Sequence, residues 1–235
     1  MGCVYIYLEG CVKVYAPEQY RSVVVGGICM FAKGLSMIGV IALFLIPYTL
    51  IQNTTGDALN HKTIIDMSIE FQPEWIWLYH SVLPVLFLTC FFITTRMVEF
   101  KSFLVSAIAV AVVLNLYYII VPTTFDRPEF VPMTVAEQLV HWTYQNDKPY
   151  NCFPSGHVAF AWLTAFMAIF SERTRKIQGL NLLFILWAIG VGWSTLAVKQ
   201  HYFTDVFAGF LVALCCSVFS LCYAADKTQG SRLQD

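Results

Sequence analysis

Charged side chains are scarce in this chain: Asp, Glu, Lys and Arg make up only 12% of its 235 residues, against ~25% in an average soluble domain. Hydrophobic residues reach 58%, above the ~45–50% of soluble folds, so the composition excludes an ordinary water-soluble domain. The net charge is -1 and no basic cluster stands out, so there is no electrostatic footprint for nucleic acid. None of the eight cysteines forms a C-x-x-C pair, which removes the pattern of a zinc ribbon or disulfide framework. Cys29, Cys90, Cys215, Cys216 and Cys222 fall inside apolar stretches and read as packing residues. The amino-terminal segment lacks the order of a cleavable signal peptide, because Glu9 and Lys13 interrupt its apolar run. Its sixth residue, Ile6, departs from the Ser or Thr of a myristoylation motif.

What is present is a series of long apolar runs. About 20 apolar residues cross a bilayer core, and the runs predict an all-α integral membrane protein with six transmembrane helices near 28–50, 76–95, 102–121, 156–171, 180–198 and 203–224. The first is expected to act as the insertion signal. Residues 52–74 and 122–152 are polar, contain proline and read as two long connections. One membrane domain over 1–225 and a polar cytoplasmic tail over 226–235 follow. With the amino terminus inside, ten of the fourteen basic residues lie on the cytoplasmic side, leaving Lys62, Arg127, Lys148 and Lys199 outside. That asymmetry places both termini in the cytoplasm. A multi-pass protein of the cell (inner) membrane is expected.

Three polar clusters then fall at one non-cytoplasmic face: Phe125-Asp126-Arg127-Pro128, Cys152-Phe153-Pro154-Ser155-Gly156-His157, and Lys199-Gln200-His201-Tyr202-Phe203-Thr204-Asp205. Their two cations, two histidines and carboxylate suit a phosphate ester, whose negative charge must be held while a bond breaks. Arg127 can grip phosphate oxygens in bidentate fashion. If Ser155 and Gly156 open a helix, their free amides make an anion site, and the Ser155 hydroxyl adds a donor. His201 and Asp205 are four residues apart, so on a helix they share a face. The carboxylate can then fix one imidazole nitrogen and leave the other as a nucleophile. His157 remains to protonate the leaving oxygen.

Pro154-Ser155-Gly156-His157, followed by Ser194, His201 and Asp205, resembles the type 2 phosphatidic acid phosphatase (PAP2) superfamily, which reads K-x6-R-P, then P-S-G-H, then S-R-x5-H-x3-D. The resemblance implies a six-helix core working without metal or other cofactor, with His201 as nucleophile, His157 as general acid and Asp205 as orienter. Two positions depart from the pattern: Ile120 stands where the family has Lys, and Thr195 where it has Arg. Lys199 is expected as a partial substitute in phosphate binding. Ser194-Thr195 with Lys199-Gln200-His201-Tyr202 is similar to the branch containing inositol phosphorylceramide synthases and bacterial relatives.

The function this implies is hydrolysis of a lipid phosphomonoester or diphosphate through a phosphohistidine. The alternative is transfer of a phosphoryl-alcohol headgroup to an acceptor lipid, and the partners are the lipid substrate and the bilayer. A metal site from Cys152, His157, His201 and Asp205 lacks compact ligand spacing. His61, His80 and His141 have no motif partners and read as surface or interfacial. Trp75, Trp77 and Tyr79 read as an aromatic belt at headgroup level. Phe71 to Trp77, with Phe125 and Phe130, are candidates for shaping acyl-chain access. Asp126 is assigned no role.

Overall fold

The computed structural model describes residues 3–8, 12–17, 21–52 and 58–232, with side chains over 30–52 and 58–219. It is mostly helical. The amino-terminal pair β1 (Cys3–Leu8) and β2 (Val12–Pro17) is antiparallel, with Val4 opposite Ala16 and Ile6 opposite Val14. Helix α1 (Arg21–Ile51) follows, and β3 (Leu59–Asn60) pairs in parallel with β4 (Thr123–Thr124). The expectation of a wholly helical chain is thus corrected by two small pairings. Tyr and Val alternating through 4–7 and 12–15 suit extended backbone, but the runs are short beside the apolar helices.

Within the first long connection lies α2 (Ile64–Ser68), and a 3-10 turn at Pro73–Trp75 leads into α3 (Ile76–His80), α4 (Val82–Leu88) and a π-helical turn, Thr89–Ile93. Helix α5 (Met97–Ile120) comes next. The second connection, expected as polar coil, contains the amphipathic α6 (Val135–Asn146). Then come α7 (Gly156–Phe170), the single turn α8 (Glu172–Arg175), α9 (Leu180–Ala197) and α10 (Phe203–Arg232). Helix α10 runs on through residues 226–232, and 233–235 lie outside the described residues. Four helical stretches are long and apolar enough to cross a bilayer: Met30–Ile51, Pro73–Ile93, Met97–Ile120 and Leu180–Ala197. Two shorter apolar helices, Gly156–Phe170 and Phe203–Phe219, complete the set.

Short as it is, α7 is the hub. It packs against α10, α9, α5 and α4, and Val158, Ala159, Ala161, Leu163, Ala165 and Ala168 are fully buried. A helix apolar all round belongs inside a bundle. Ser155 caps its start by accepting from Val158 N at 3.4 Å, and Ser171, which ends it, caps Arg173 N at 3.2 Å. On the same face as Ser171, one Glu99 carboxylate accepts from Thr95 N, Arg96 N and Glu172 N at 3.0, 3.2 and 2.8 Å, so it closes the starts of both α5 and α8. Lys33, read from sequence as a cytoplasmic-side cation, is buried against the π-helical turn. Its ammonium donates to Thr94 O at 2.5 Å and Cys90 O at 3.5 Å, using carbonyls that the widened turn leaves available.

Closest approach within the bundle is between α10 and the start of α7. A Cβ on Gly209 would stand 2.6 Å from Ser155 O and 3.2 Å from Val158 Cβ, and the Ser155 amide donates to Asp205 O at 3.0 Å. Gly209→Ala is therefore expected to cost about 1–3 kcal/mol through forced separation of the two helices. Thermal unfolding in detergent checks this: the midpoint should fall, with activity falling alongside, and an unchanged midpoint would remove the claim that this crossing is tight.

Candidate active site

The three polar clusters converge, as expected, around the start of α7 and the turn before α10. Thr123 organises the second cluster: its hydroxyl accepts from Cys152 N and Phe153 N, both at 3.1 Å, and its carbonyl accepts from Asn151 N at 3.1 Å. Tyr118 donates to Pro154 O at 2.8 Å. The third cluster folds back on the end of α9, where Thr195 O accepts from Gln200 N at 2.9 Å and His201 N at 3.2 Å. Lys199 sits in this turn with φ +55.

His201 precedes α10 rather than lying on it, yet its Nδ1 is 3.3 Å from Asp205 Oδ2. The same oxygen accepts from Tyr202 N at 2.8 Å, so Asp205 caps the helix start while facing the imidazole. With Nδ1 turned to the carboxylate, Nε2 is the nitrogen left for chemistry. Across from it stands His157, its ring centroid 6.2 Å from that of His201 and stacked at 3.9 Å on Tyr79.

A further imidazole joins that neither motif nor spacing marks. His61 Nε2 lies 2.5 Å from Asp205 Oδ1, and its ring packs edge-on against Phe153 and Tyr202. Asp205 is fully buried, whereas the His61 side chain is 27% exposed. Its hydrogen bond to Asp205 raises the His61 pKa above the ordinary value against the opposing effect of burial. The expectation of a surface role for His61 is corrected: a separation of 144 residues along the chain hid the pairing. Tyr79, expected in an aromatic belt, is likewise buried beneath His157, while Trp77 is 58% exposed. His80 contacts Thr143 Oγ1 at 2.9 Å and borders the site; His141 remains exposed beside Gln145.

Several phosphate-binding expectations change. The Arg127 guanidinium is spent largely on protein: Nη1 donates to Tyr144 O at 2.9 Å, and Nη2 to Asp147 O at 2.7 Å and Gln200 Oε1 at 2.8 Å. It also lies over the Phe125 and Tyr144 rings at 5.0 and 4.3 Å. Burial lowers its pKa, although arginine stays charged. Its Nε is a buried donor with no partner, and so is Gln200 Nε2. Holding the Gln200 carbonyl side, Arg127 leaves the amide N–H₂ available at the cavity edge. Ser155 is fully buried, and its hydroxyl oxygen accepts the capping bond from Val158 N, which leaves the O–H free to donate. Gly156 and His157 border the cavity, and the first amides of a helix have no intrahelical acceptor. A Cβ at Gly156 would meet Phe44 Cζ at 2.9 Å. Lys199 donates to the carbonyls of Asp66 and Ile69, and burial lowers its pKa. It is a brace for α2 more than a replacement cation. Ile120 is 74% exposed, and Thr195 is fully buried with its hydroxyl on Gly192 O at 2.8 Å. Asp126 pairs with Lys62 at 3.3 Å and accepts from Asn60 at 3.0 Å.

His201 lies between two cavities. One, of about 340 Å³, is bordered by the charged Lys62, Asp126, Arg127 and Lys199. The other, of about 390 Å³, holds His157, Gln200, Asp147 and several aromatic rings. It shares Phe44, Leu45, Tyr79, His80, Gly156 and His157 with an apolar groove of about 120 Å³ that runs on between α1 and α4 past Ile41, Leu83 and Leu86. Phe125 borders both large cavities, whereas Phe71 and Phe130 pack on each other at 4.9 Å in a separate cluster with Ile76 and Val140. Burial pushes the Cys152 thiol up to about 12, which keeps it neutral near pH 7.

The site thus sets an imidazole oriented by a carboxylate near a second imidazole, beside a cavity at a helix start. The chain belongs to the PAP2 superfamily, whose family model matches residues 100–229. No curated protein sequence matches it significantly. Among solved structures it is similar to the crystal structure of Aquifex aeolicus LpxE, with 20% identity, a TM-score of 0.46, and coverage of 77% of this chain and 96% of that one.

Two substitutions probe the unanticipated residues. A hydrogen bond to a charged partner is worth about 1.5–3 kcal/mol, so His61→Ala and Gln200→Leu should each lower kcat/KM by roughly 10- to 100-fold. Steady-state kinetics on purified variants checks both, and wild-type rates would remove either residue from the site. Because the folded His61 pKa is raised, the stabilisation it adds is complete below about pH 6.5 and lost as pH climbs through the folded value. His61→Gln should flatten that part of the pH dependence of the melting temperature.

Proposed function

We propose that this PAP2 superfamily member is a membrane lipid phosphatase acting through a phosphohistidine on His201. The observation that carries this reading is the pair of facing rings, His157 and His201, 6.2 Å apart at a cavity that continues into an apolar groove. A lipid phosphate can place its phosphorus between the rings while its chains lie in the groove. His201 Nε2 attacks phosphorus as Asp205 stabilises the imidazolium that forms. His157 protonates the departing lipid oxygen and then takes a proton from the attacking water. The amides opening α7, Arg127 Nε and the Gln200 amide supply donors for the phosphoryl oxygens.

The topology belongs to the same proposal. Six spans, counting Gly156–Phe170 and Phe203–Phe219 with the four longer ones, put both termini in the cytoplasm of a cell (inner) membrane and the site at the opposite face. Residues 1–225 then act as one domain. A second reading, transfer of a phosphoryl-alcohol headgroup to an acceptor lipid, is favoured by one feature: the larger cavity is bordered by aromatic and amide side chains and, among the described residues, by no Lys or Arg.

The test is release of free phosphate from a panel of lipid phosphates in the presence of a strong chelator. Wild type should turn over, and His201→Ala should be inactive. His157→Ala should lose roughly 10²–10⁴-fold with a natural alcohol leaving group and much less with an activated one. Activity retained by His201→Ala would end the covalent mechanism, and equal losses with both leaving groups would end the assignment of His157 as acid.

A further inference from the structure

The cavity on the His157 side of His201 contains a carboxylate that the phosphatase reaction does not use. Asp147 borders it, partly exposed, with Oδ1 accepting from the Tyr48 hydroxyl at 2.6 Å. An acid beside a phosphate site opposes binding of an anion, and the neighbouring Arg127 guanidinium is bonded to the Asp147 backbone carbonyl. Burial holds the Asp147 carboxyl above the usual carboxylate range, although Tyr48 and Arg127 pull the other way. Around it stand the rings of Tyr48, Tyr79, Trp142 and Tyr150. Asn151 adds a buried side-chain oxygen without a partner. A carboxylate, an unpartnered carbonyl oxygen and aromatic rings together select a cation, and aromatic rings suit an alkylated ammonium in particular.

Position supports the same conclusion. Arg127 Nη2 bonds both Asp147 O and Gln200 Oε1, so one guanidinium group fixes Asp147 relative to the neighbour of His201. We propose that this cavity binds a zwitterionic phospholipid, a phosphodiester of an amino alcohol, with its ammonium between Asp147 and the aromatic rings and its phosphorus between His157 and His201. The inference rests on the assignment of those two histidines as the reacting pair. Nε2 of His201 forms a bond to phosphorus, the P–O bond to the lipid alcohol breaks, and the departing oxygen takes the proton of His157. The phosphoamino alcohol is left on His201. Water or an acceptor alcohol then attacks phosphorus, gives its proton to His157, and the N–P bond breaks. The products are a free phosphoamino alcohol or a new lipid carrying it.

Equilibrium binding to His201→Ala in phospholipid-free maltoside micelles tests the site without turnover. The probes are a short-chain alkylphosphocholine, the matching alkylphosphoethanolamine, and the alkyl phosphate monoester. The zwitterionic probes should bind at least 10-fold more tightly than the monoester. Adding Asp147→Asn should collapse that preference, and Asp147→Glu, which retains the charge and guards against a folding defect, should keep part of it. Preference for both ammonium probes, or for choline alone, supports the proposal; the latter gives the rings the larger share. A monoester bound as tightly as the others, or a preference untouched in a folded Asp147→Asn protein, overturns it. Products from wild type separate the two levels. His201-dependent release of phosphate from monoester, without the binding preference, leaves the phosphatase reading and removes the ammonium site. The binding preference without His201-dependent turnover of any probe does the reverse.

Discussion

The site depends on the contact between the first turn of α10 and the start of α7. Gly209 lets the helices meet at Ser155, and the hydrogen bond from Ser155 N to Asp205 O locks their relative height. That bond sets the capping residue of one helix against the carboxylate-bearing residue of the next. The two elements carrying His157 and Asp205 are thereby fixed before any connecting loop is considered. The remaining parts are added from outside: α3 supplies the Tyr79 floor, the segment before α2 supplies His61, and the connections before and after α6 bring Arg127 and Asp147 to the rim.

The rim distributes charge unusually for a phosphate site. Arg127 serves as a structural knot among Tyr144, Asp147 and Gln200, and its Nε and the Gln200 amide nitrogen are buried donors without a partner. Lys199 is held by backbone carbonyls. In the proposed reaction, neutral donors and helix amides would take over work that free cations do elsewhere. Such donors discriminate by direction more than by net charge, which suits a site that must tell one lipid headgroup from another.

Much of this was legible in the residues. Long apolar runs marked the helices because nothing else in a bilayer satisfies the backbone, and α7 begins at Gly156 as the Ser-Gly pair suggests. The spacing of His201 and Asp205 anticipated their contact, although a turn achieves it and not a shared helix face. His61, Tyr79, Gln200 and Asp147 were not legible. Each acquires its part from a partner far away in the chain, and an isolated histidine or tyrosine near a membrane surface carries no sign of it. The short strands and α6 were missed for a related reason: local polarity in 122–152 resembled loop, while the apolar side of α6 packs on Ile76 and Val198 through Val140.

The two departures from the family motif occupy quite different surroundings. Ile120 points outward from α5, 74% exposed, while Thr195 is enclosed at the end of α9 with its hydroxyl bonded to Gly192. Ile120→Lys would hang a cation on the outer flank of the bundle, and Thr195→Arg would wedge one into a closed interior. Neither step alone rebuilds the familial anion cradle.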